Sequence, residues 1–187
     1  TVCDCGSPWL VRYPDRVHGL KDRAEVRRRQ GMWRCRSFLP LLPNEQPVTL
    51  GEGDTPLLRV PRLGKELGFR GLWIKDEGAN PTGSFKSRGL SAAMTRAVAA
   101  GATRFTLPTA GNAGVAASAY AARAGAQVRV YAPRTTPQVI LAQILAYGGD
   151  LVLLDGHIVD CGKASRAWAD ESGGFDVCTI RTPCSSE

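Results

Sequence analysis

A lysine close to the predicted start of a helix is the residue of this chain best suited to covalent chemistry. Lys86 follows segment 80–85, which contains several small and hydroxyl side chains. A helix N-terminus presents free backbone N–H groups and a partial positive charge, which favour a nearby anion and disfavour a protonated amine. A neutral amine attacks aldehydes, so Lys86 is predicted to act as a nucleophile beside an anion site. Ser84 is predicted to accept hydrogen bonds from the first N–H groups of the helix.

A second loop of small residues, segment 109–114 with the sequence TAGNAG, also runs from a predicted strand into a predicted helix. Parallel α/β sheets bind ligands at such strand ends, so the two loops are predicted to face one crevice. Asn112 offers an amide to a ring hydroxyl, and glycines at 111 and 114 let backbone N–H groups approach a carboxylate closely. The alternative for Asn112 is a simple N-cap.

Apolar patterning predicts the elements that position these loops. Short apolar runs alternate with longer helical stretches from about residue 72 onward, which indicates consecutive βαβ units and a parallel sheet. In the first helix the apolar positions recur at helical spacing, whereas Ser87 is predicted to be exposed, and Lys75 and Arg88 are predicted to be surface charges without a role. The predicted strands are 72–74, 104–107, 128–131, 151–154 and 175–178. The first predicted helix runs from about Ser84 to Gly101, the second from the loop at 109–114 to Gly125, the third from about Thr136 to Gly148, and the fourth covers 159–169.

The composition is that of an ordinary globular protein, with 187 residues, of which 43% are apolar and 22% charged. No apolar run is long enough for a membrane span and the first residues lack the pattern of a secretory signal, so we expect a cytoplasmic protein that does not bind membranes. The basic stretch 21–36 lacks any known nucleic-acid-binding pattern, and we expect no nucleic-acid partner. The six cysteines are expected to be reduced, and His18 and His157 occur in no ligand or triad spacing.

Three blocks in order resemble the threonine synthase family. They are LGEGDTPL at 50–57, KDE at 75–77 followed by NPTGSFK at 80–86, and PTAGNAG at 108–114. The resemblance implies a tryptophan synthase β-like (fold type II) fold, with pyridoxal 5'-phosphate as the cofactor and Lys86 as the lysine that holds it. It also implies that Asn112 and Ser84 contact the cofactor and that Thr109, Gly111 and Ala113 line the site of the substrate carboxylate.

The implied reaction converts O-phospho-L-homoserine and water to L-threonine and phosphate. A serine or threonine dehydratase or a cysteine synthase-like enzyme would use the same two loops, and a homodimer is possible. A non-catalytic remnant is a further alternative, because relatives are roughly twice as long, the chain looks truncated, and residues 179–187 depart from the family pattern. A dinucleotide-binding domain is disfavoured, since segment 109–114 lacks GxGxxG spacing.

Residues 1–45 are predicted to form an extension wrapped on the main body, and residues 46–187 the incomplete N-terminal half of the enzyme domain. Cys3 and Cys5 resemble half of the zinc-ribbon-like extension of some relatives. A closed zinc site requires four ligands, and the partner cysteine pair is absent, so no metal site is predicted, although Cys35 is a candidate third ligand.

Overall fold

The computed structural model describes residues 30–39, 41–42 and 44–178. Four predictions fall outside these residues: the zinc-ribbon-like start with Cys3 and Cys5, His18, the greater part of the basic stretch 21–36, and the chain end at 179–187. The boundary between extension and enzyme domain at residue 45 therefore stays a prediction.

A four-stranded parallel sheet lies at the centre of the described chain, as the βαβ pattern predicted. Its strands lie side by side in the order β5 (Asp150–Leu154), β4 (Gln127–Pro133), β3 (Arg104–Pro108) and β6 (Phe175–Asp176). The parallel register pairs Leu107 with Val130 and Val130 with Leu151. Each strand is preceded by a helix that returns the chain across the sheet. The elements are α2 (Lys86–Ala99), β3 (Arg104–Pro108), α3 (Asn112–Arg123), β4 (Gln127–Pro133), α4 (Gln138–Ala146), β5 (Asp150–Leu154), α5 (Ile158–Ser172) and β6 (Phe175–Asp176).

The two faces of the sheet pack against different helices, because side chains alternate along a strand. On β3, Phe105 and Leu107 point into the core shared with α2 and α3. Thr106, between them, points to the other face, where its hydroxyl lies 2.9 Å from that of Ser165 on α5. The sheet is therefore covered on both faces, as parallel sheets normally are.

Helix α2 confirms the predicted apolar stripe but corrects the prediction for Ser87. Ser87 is fully buried, not exposed, and its hydroxyl lies 2.7 Å from that of Thr82. Ser87, Ser91 and Thr95 form a second buried stripe at i, i+4 and i+8, and Ser91 and Thr95 hydrogen-bond to the backbone of Val48. Small hydroxyl side chains tolerate burial when they are hydrogen-bonded, so apolar periodicity alone misses this face.

The predicted strand at 72–74 exists but does not belong to the parallel sheet. Strand β2 (Trp73–Lys75) pairs antiparallel with β1 (Leu57–Arg59), and the short helix α1 (Pro61–Glu66) lies between them in the chain. The sequence pattern placed β2 in the βαβ series because the three residues of its partner strand β1 are too few to show a strand periodicity. Four large apolar side chains of this ribbon are between 46% and 59% exposed in the described chain: Leu57, Leu58, Trp73 and Ile74.

Segment 30–39, which includes a 3-10 helix at Met32–Phe38, packs against the main body. The Trp33 ring is buried, and the backbone N–H of Met32 donates to the carbonyl of Glu52 at 2.8 Å. Across the part of the chain that the structure describes, every helix is too short or too polar to cross a bilayer.

Candidate active site

Lys86 is the first residue of α2 and is half-buried. Its ammonium nitrogen lies 4.6 Å from the centre of the exposed Phe85 ring. Within the described residues Lys86 forms no ion pair, and the nearest acidic side chain in sequence, Glu77, is paired with Arg88 instead. No carboxylate of this part of the chain therefore pairs with Nζ of Lys86.

Ser84 accepts a hydrogen bond from the first N–H group of α2, as its position predicted, although Phe85 is the cap residue of the helix. It is buried, and its hydroxyl oxygen accepts the backbone N–H of Lys86 at 3.3 Å. This bond satisfies one of the free N–H groups of the first turn. A contact between Ser84 and a cofactor stays a prediction.

An ion pair braces the loop that leads into α2, and it corrects the prediction for Arg88. The guanidinium of Arg88 donates from Nε and Nη2 to the two carboxylate oxygens of Glu77, at 2.7 and 2.8 Å. Thr55 and Asn80 also donate to this carboxylate, and the ammonium of Lys75 donates to the carbonyl of Thr55. Arg88 is thus part of the scaffold of the loop and not a solvated surface charge, whereas Lys75 is exposed as predicted but hydrogen-bonds to this scaffold.

The ion pair between Arg88 and Glu77 should make the stability of the chain depend on pH in the acid range. Hydrogen bonds from Arg88 outweigh burial and lower the pKa of Glu77 from 4.5 to about 2. A carboxyl group with a lowered folded-state pKa contributes stability above its ordinary pKa, and the contribution is lost as the pH falls toward the folded value. We expect Arg88→Gln to lower the free energy of unfolding by about 1–2 kcal/mol at neutral pH and to flatten its decline between pH 4.5 and 2.

Urea unfolding at a series of pH values measures both effects. Arg62→Gln is the matched control, since Arg62 and Glu66 form an exposed i,i+4 pair at 3.8 Å whose loss should change little. Equal pH profiles for Arg88→Gln and the parent chain would contradict the assignment of the pair.

The second loop folds around the hydroxyl group of Thr109. This oxygen accepts the backbone N–H groups of Gly111 and Gly114, both at 3.1 Å, and Thr109 is only 4% exposed. The glycine N–H groups that were expected to approach a carboxylate are therefore engaged within the loop. Within the described chain, the N–H groups left without a protein acceptor at the start of α3 belong to Asn112 and Ala113.

The two glycines of this loop have opposite surroundings. A Cβ atom on Gly114 would lie 2.4 Å from Cγ2 of Thr109 and 3.0 Å from Cδ1 of Ile144, so close packing requires glycine there. A Cβ atom on Gly111 would meet nothing within 4 Å, and its φ of −177° is extended backbone that any residue adopts. Packing within the described chain therefore does not require glycine at position 111. The missing side chain leaves open space beside the start of α3.

Asn112 is exposed and is the first residue of α3, not its cap. The cap position is Gly111, and no side chain caps this helix. Within the described residues the amide of Asn112 forms no hydrogen bond, so the simple N-cap alternative does not hold. Ala113, the next residue, is partly exposed beside it.

The fold brings the starts of α2 and α3 to one edge of the sheet. Both helices lead through short connections into the neighbouring parallel strands β3 and β4, and they pack against each other. Their starts therefore lie at the carboxyl edge of the sheet, Lys86 on one and Asn112 on the other. A separate cavity of about 340 Å³, lined by residues that include Arg34, Asp54 and Arg88, is not lined by any of the predicted site residues.

Sequence reasoning missed the residues that hold these helices together. Glu52, Trp33 and Tyr120 form a buried hydrogen-bonded group with Ser91. The signal was present in the LGEGDTPL motif, where an acidic residue stands between two glycines. No group of three or more His, Cys, Asp or Glu side chains that could hold a metal ion occurs among the described residues, and Cys35 there is a free thiol.

Comparison with known proteins assigns most of the chain to one family. Residues 48–183 match the family described as pyridoxal-phosphate-dependent enzymes. The threonine synthase of Methanocaldococcus jannaschii is 36% identical over 175 residues, which are 91% of this chain and 43% of the relative. The threonine synthase of Mycobacterium leprae is 41% identical over 135 residues, or 72% of this chain and 37% of the relative. The chain thus spans less than half the length of these relatives.

Two solved structures resemble this fold. Diaminopropionate ammonia lyase from Escherichia coli aligns with a TM-score of 0.66 and 21% identity, over 71% of this chain and 38% of that one. O-ureido-L-serine synthase aligns with a TM-score of 0.63 and 30% identity, over 74% of this chain and 44% of that one. The fold is therefore that of the fold type II pyridoxal-phosphate enzymes.

Proposed function

Because the chain belongs to the family of pyridoxal-phosphate-dependent enzymes, we propose that Lys86 holds the cofactor and that the loops at 80–86 and 109–114 form one side of an amino-acid site. The proposed reaction converts O-phospho-L-homoserine and water to L-threonine and phosphate. Relatives named threonine synthase, 36% and 41% identical, support this substrate. The observation that carries the proposal is the amine of Lys86, without an acidic partner in the described chain, at the same sheet edge as the open loop at Gly111.

The residues at this edge fit the chemistry of pyridoxal 5'-phosphate. An aldehyde requires a primary amine, which Lys86 offers, and a ring hydroxyl requires a donor, which the unengaged amide of Asn112 offers. The space beside Gly111 would receive a ring or a carboxylate, since no atom of the described residues lies within 4 Å of a Cβ atom built there. The free N–H groups at the start of α3 favour an anion.

When bound, pyridoxal phosphate supplies an electron sink that stabilises negative charge at the α carbon of an amino acid. The chain's own residues bind, orient and move protons. The backbone N–H groups of Asn112 and Ala113 would donate to the substrate carboxylate. Nζ of Lys86, once free, would accept the α proton and return it at a later step, as phosphate leaves the γ carbon and water adds at the β carbon. Thr109 would act through the loop, since its hydroxyl is engaged with Gly111 and Gly114.

A β-replacement reaction is the second candidate, because O-ureido-L-serine synthase is 30% identical over 74% of this chain. Both candidates use an amine at Lys86 and an anion site at the start of α3, so these residues alone do not separate them. Turnover by the 187 residues alone is expected to be low, and a homodimer stays a prediction.

Complementation separates these candidates. We expect the gene as the genome carries it, and not the 187 residues expressed alone, to restore growth without threonine in a bacterium that lacks threonine synthase. Lysates should form threonine and phosphate from O-phospho-L-homoserine in equal amounts. A 2-oxo acid and ammonia formed from serine or threonine would indicate a dehydratase, and consumption of an O-substituted serine would indicate β-replacement. No product from any of these substrates would support the non-catalytic alternative.

A further inference from the structure

Glu52 is a fully buried carboxylate that accepts four hydrogen bonds. The indole N–H of Trp33 and the hydroxyl of Ser91 donate to Oε1 at 2.7 and 2.6 Å. The hydroxyl of Tyr120 and the backbone N–H of Leu50 donate to Oε2 at 2.6 and 3.0 Å. Burial by itself would raise the pKa of Glu52, but these hydrogen bonds outweigh burial and lower it. The group is therefore an ionised acceptor enclosed by donors.

This carboxylate connects the two helices that present the proposed site. Ser91 lies on α2, five residues after Lys86, and Tyr120 lies on α3, eight residues after Asn112. At a rise of 1.5 Å per residue these distances are about 7.5 and 12 Å along the helices. One buried group thus fixes α2 against α3 within about one and a half to two turns of the residues proposed to act.

The backbone that carries Glu52 is itself held closely. Gly53 has a φ of +104°, and a Cβ atom there would lie 2.4 Å from the backbone nitrogen of Met32. A Cβ atom on Gly31 would lie 2.7 Å from the carbonyl oxygen of Glu52. The backbone around Gly31 and the backbone around Gly53 are therefore closely packed against each other. This packing fixes the position of the Glu52 backbone, so the Glu52 side chain cannot simply move with the helices.

We propose that Glu52 is a positioning residue that sets the spacing of α2 and α3, and with it the placement of Lys86 relative to Asn112. The consequence for the cofactor rests on the proposed function, whereas the consequence for the helices does not. A purely structural role would predict a loss of stability alone. A positioning role predicts, in addition, a change at the site while the chain remains folded.

Glu52→Gln is the informative substitution because it keeps the volume and removes one acceptor. The amide NH₂ group would face either the indole N–H of Trp33 or the backbone N–H of Leu50, and neither of these can accept a hydrogen bond. Phe105→Leu is the matched control. Phe105 is equally buried and its ring centre lies 6.4 Å from that of Phe175, edge-to-face, but it takes no part in the hydrogen bonds of Glu52.

The first measurement is the affinity for pyridoxal phosphate, determined by absorption at a temperature at which urea unfolding shows both variants to be folded. We expect Glu52→Gln to bind about tenfold more weakly than the parent, since small displacements of site groups have large effects, and Phe105→Leu to stay within about twofold. Affinity of Glu52→Gln within twofold of the parent would overturn the proposal.

The second measurement does not depend on the cofactor. Amide hydrogen exchange should become about tenfold faster around Ser91 and around Tyr120 in Glu52→Gln, on both helices together, and less so in Phe105→Leu. Unchanged exchange, or a change confined to one helix, would overturn the proposal. If the parent chain fails to bind pyridoxal phosphate through Lys86, the proposed function fails, and the exchange result still decides the role of Glu52.

Discussion

Lys86→Ala should abolish the visible absorption that pyridoxal phosphate gives when it is joined to the chain. The lysine lies at the first position of α2, its amine has no carboxylate partner in the described residues, and the nearby Ser84 hydroxyl already accepts the backbone N–H of Lys86. Loss of both the covalent anchor and the proton carrier should lower any turnover by about 10²–10⁴-fold. Absorption titration of the purified chain with the cofactor measures the first effect.

The control for this substitution is Lys163→Ala, which removes an exposed lysine of α5, paired only with Asp160 at 3.8 Å. The control should bind the cofactor as the parent does, and both variants should unfold at nearly the parent's urea concentration, because neither side chain is part of the core. Equal absorption in Lys86→Ala and the parent would remove Lys86 from the site.

The two glycines of segment 109–114 should respond to alanine in opposite ways. Gly114→Ala places a methyl group 2.4 Å from Cγ2 of Thr109, and Thr109 is held in place by its hydrogen bonds to the loop. We expect a loss of about 1–3 kcal/mol in the free energy of unfolding from this overpacking. Gly111→Ala places its methyl group in open space, so stability should be unchanged or higher by up to about 1 kcal/mol.

The two variants should rank in the opposite order when cofactor affinity is measured in place of the free energy of unfolding. Because the open space at Gly111 is the space proposed for the ligand, a methyl group there should weaken pyridoxal phosphate or substrate binding by about tenfold or more. Urea unfolding and absorption titration on the same preparations measure both quantities. A Gly111→Ala variant with the stability and affinities of the parent would place the ligand elsewhere.

The parallel sheet could be predicted from sequence because its signals are local. Apolar runs mark β3, β4 and β5, and glycines with positive φ follow α2, α3 and α4, at Gly101, Gly125 and Gly148. The ribbon of β1 and β2 could not be predicted in the same way. Its pairing joins residues 57 and 75, and three-residue strands carry too little periodicity to reveal a partner that far along the chain.

At the candidate site, sequence identified the residues that carry chemistry but not those that support them. Lys86 and Asn112 stand out by residue type at the start of a helix. Glu52 hydrogen-bonds to residues 33, 91 and 120, and the Arg88–Glu77 pair hydrogen-bonds to residues 55 and 80. These partners are far apart in sequence, so only the folded chain brings each group together. The same holds for Thr109, whose hydroxyl occupies the glycine N–H groups that the sequence had assigned to a ligand.

The most direct test of the account is to locate the lysine that joins the cofactor. The chain is incubated with pyridoxal phosphate, reduced with borohydride, digested and analysed by mass spectrometry. We expect the pyridoxyl group on Lys86, in the peptide that contains segment 80–86. A label on another lysine such as Lys75, or no label at all, would contradict the central claim.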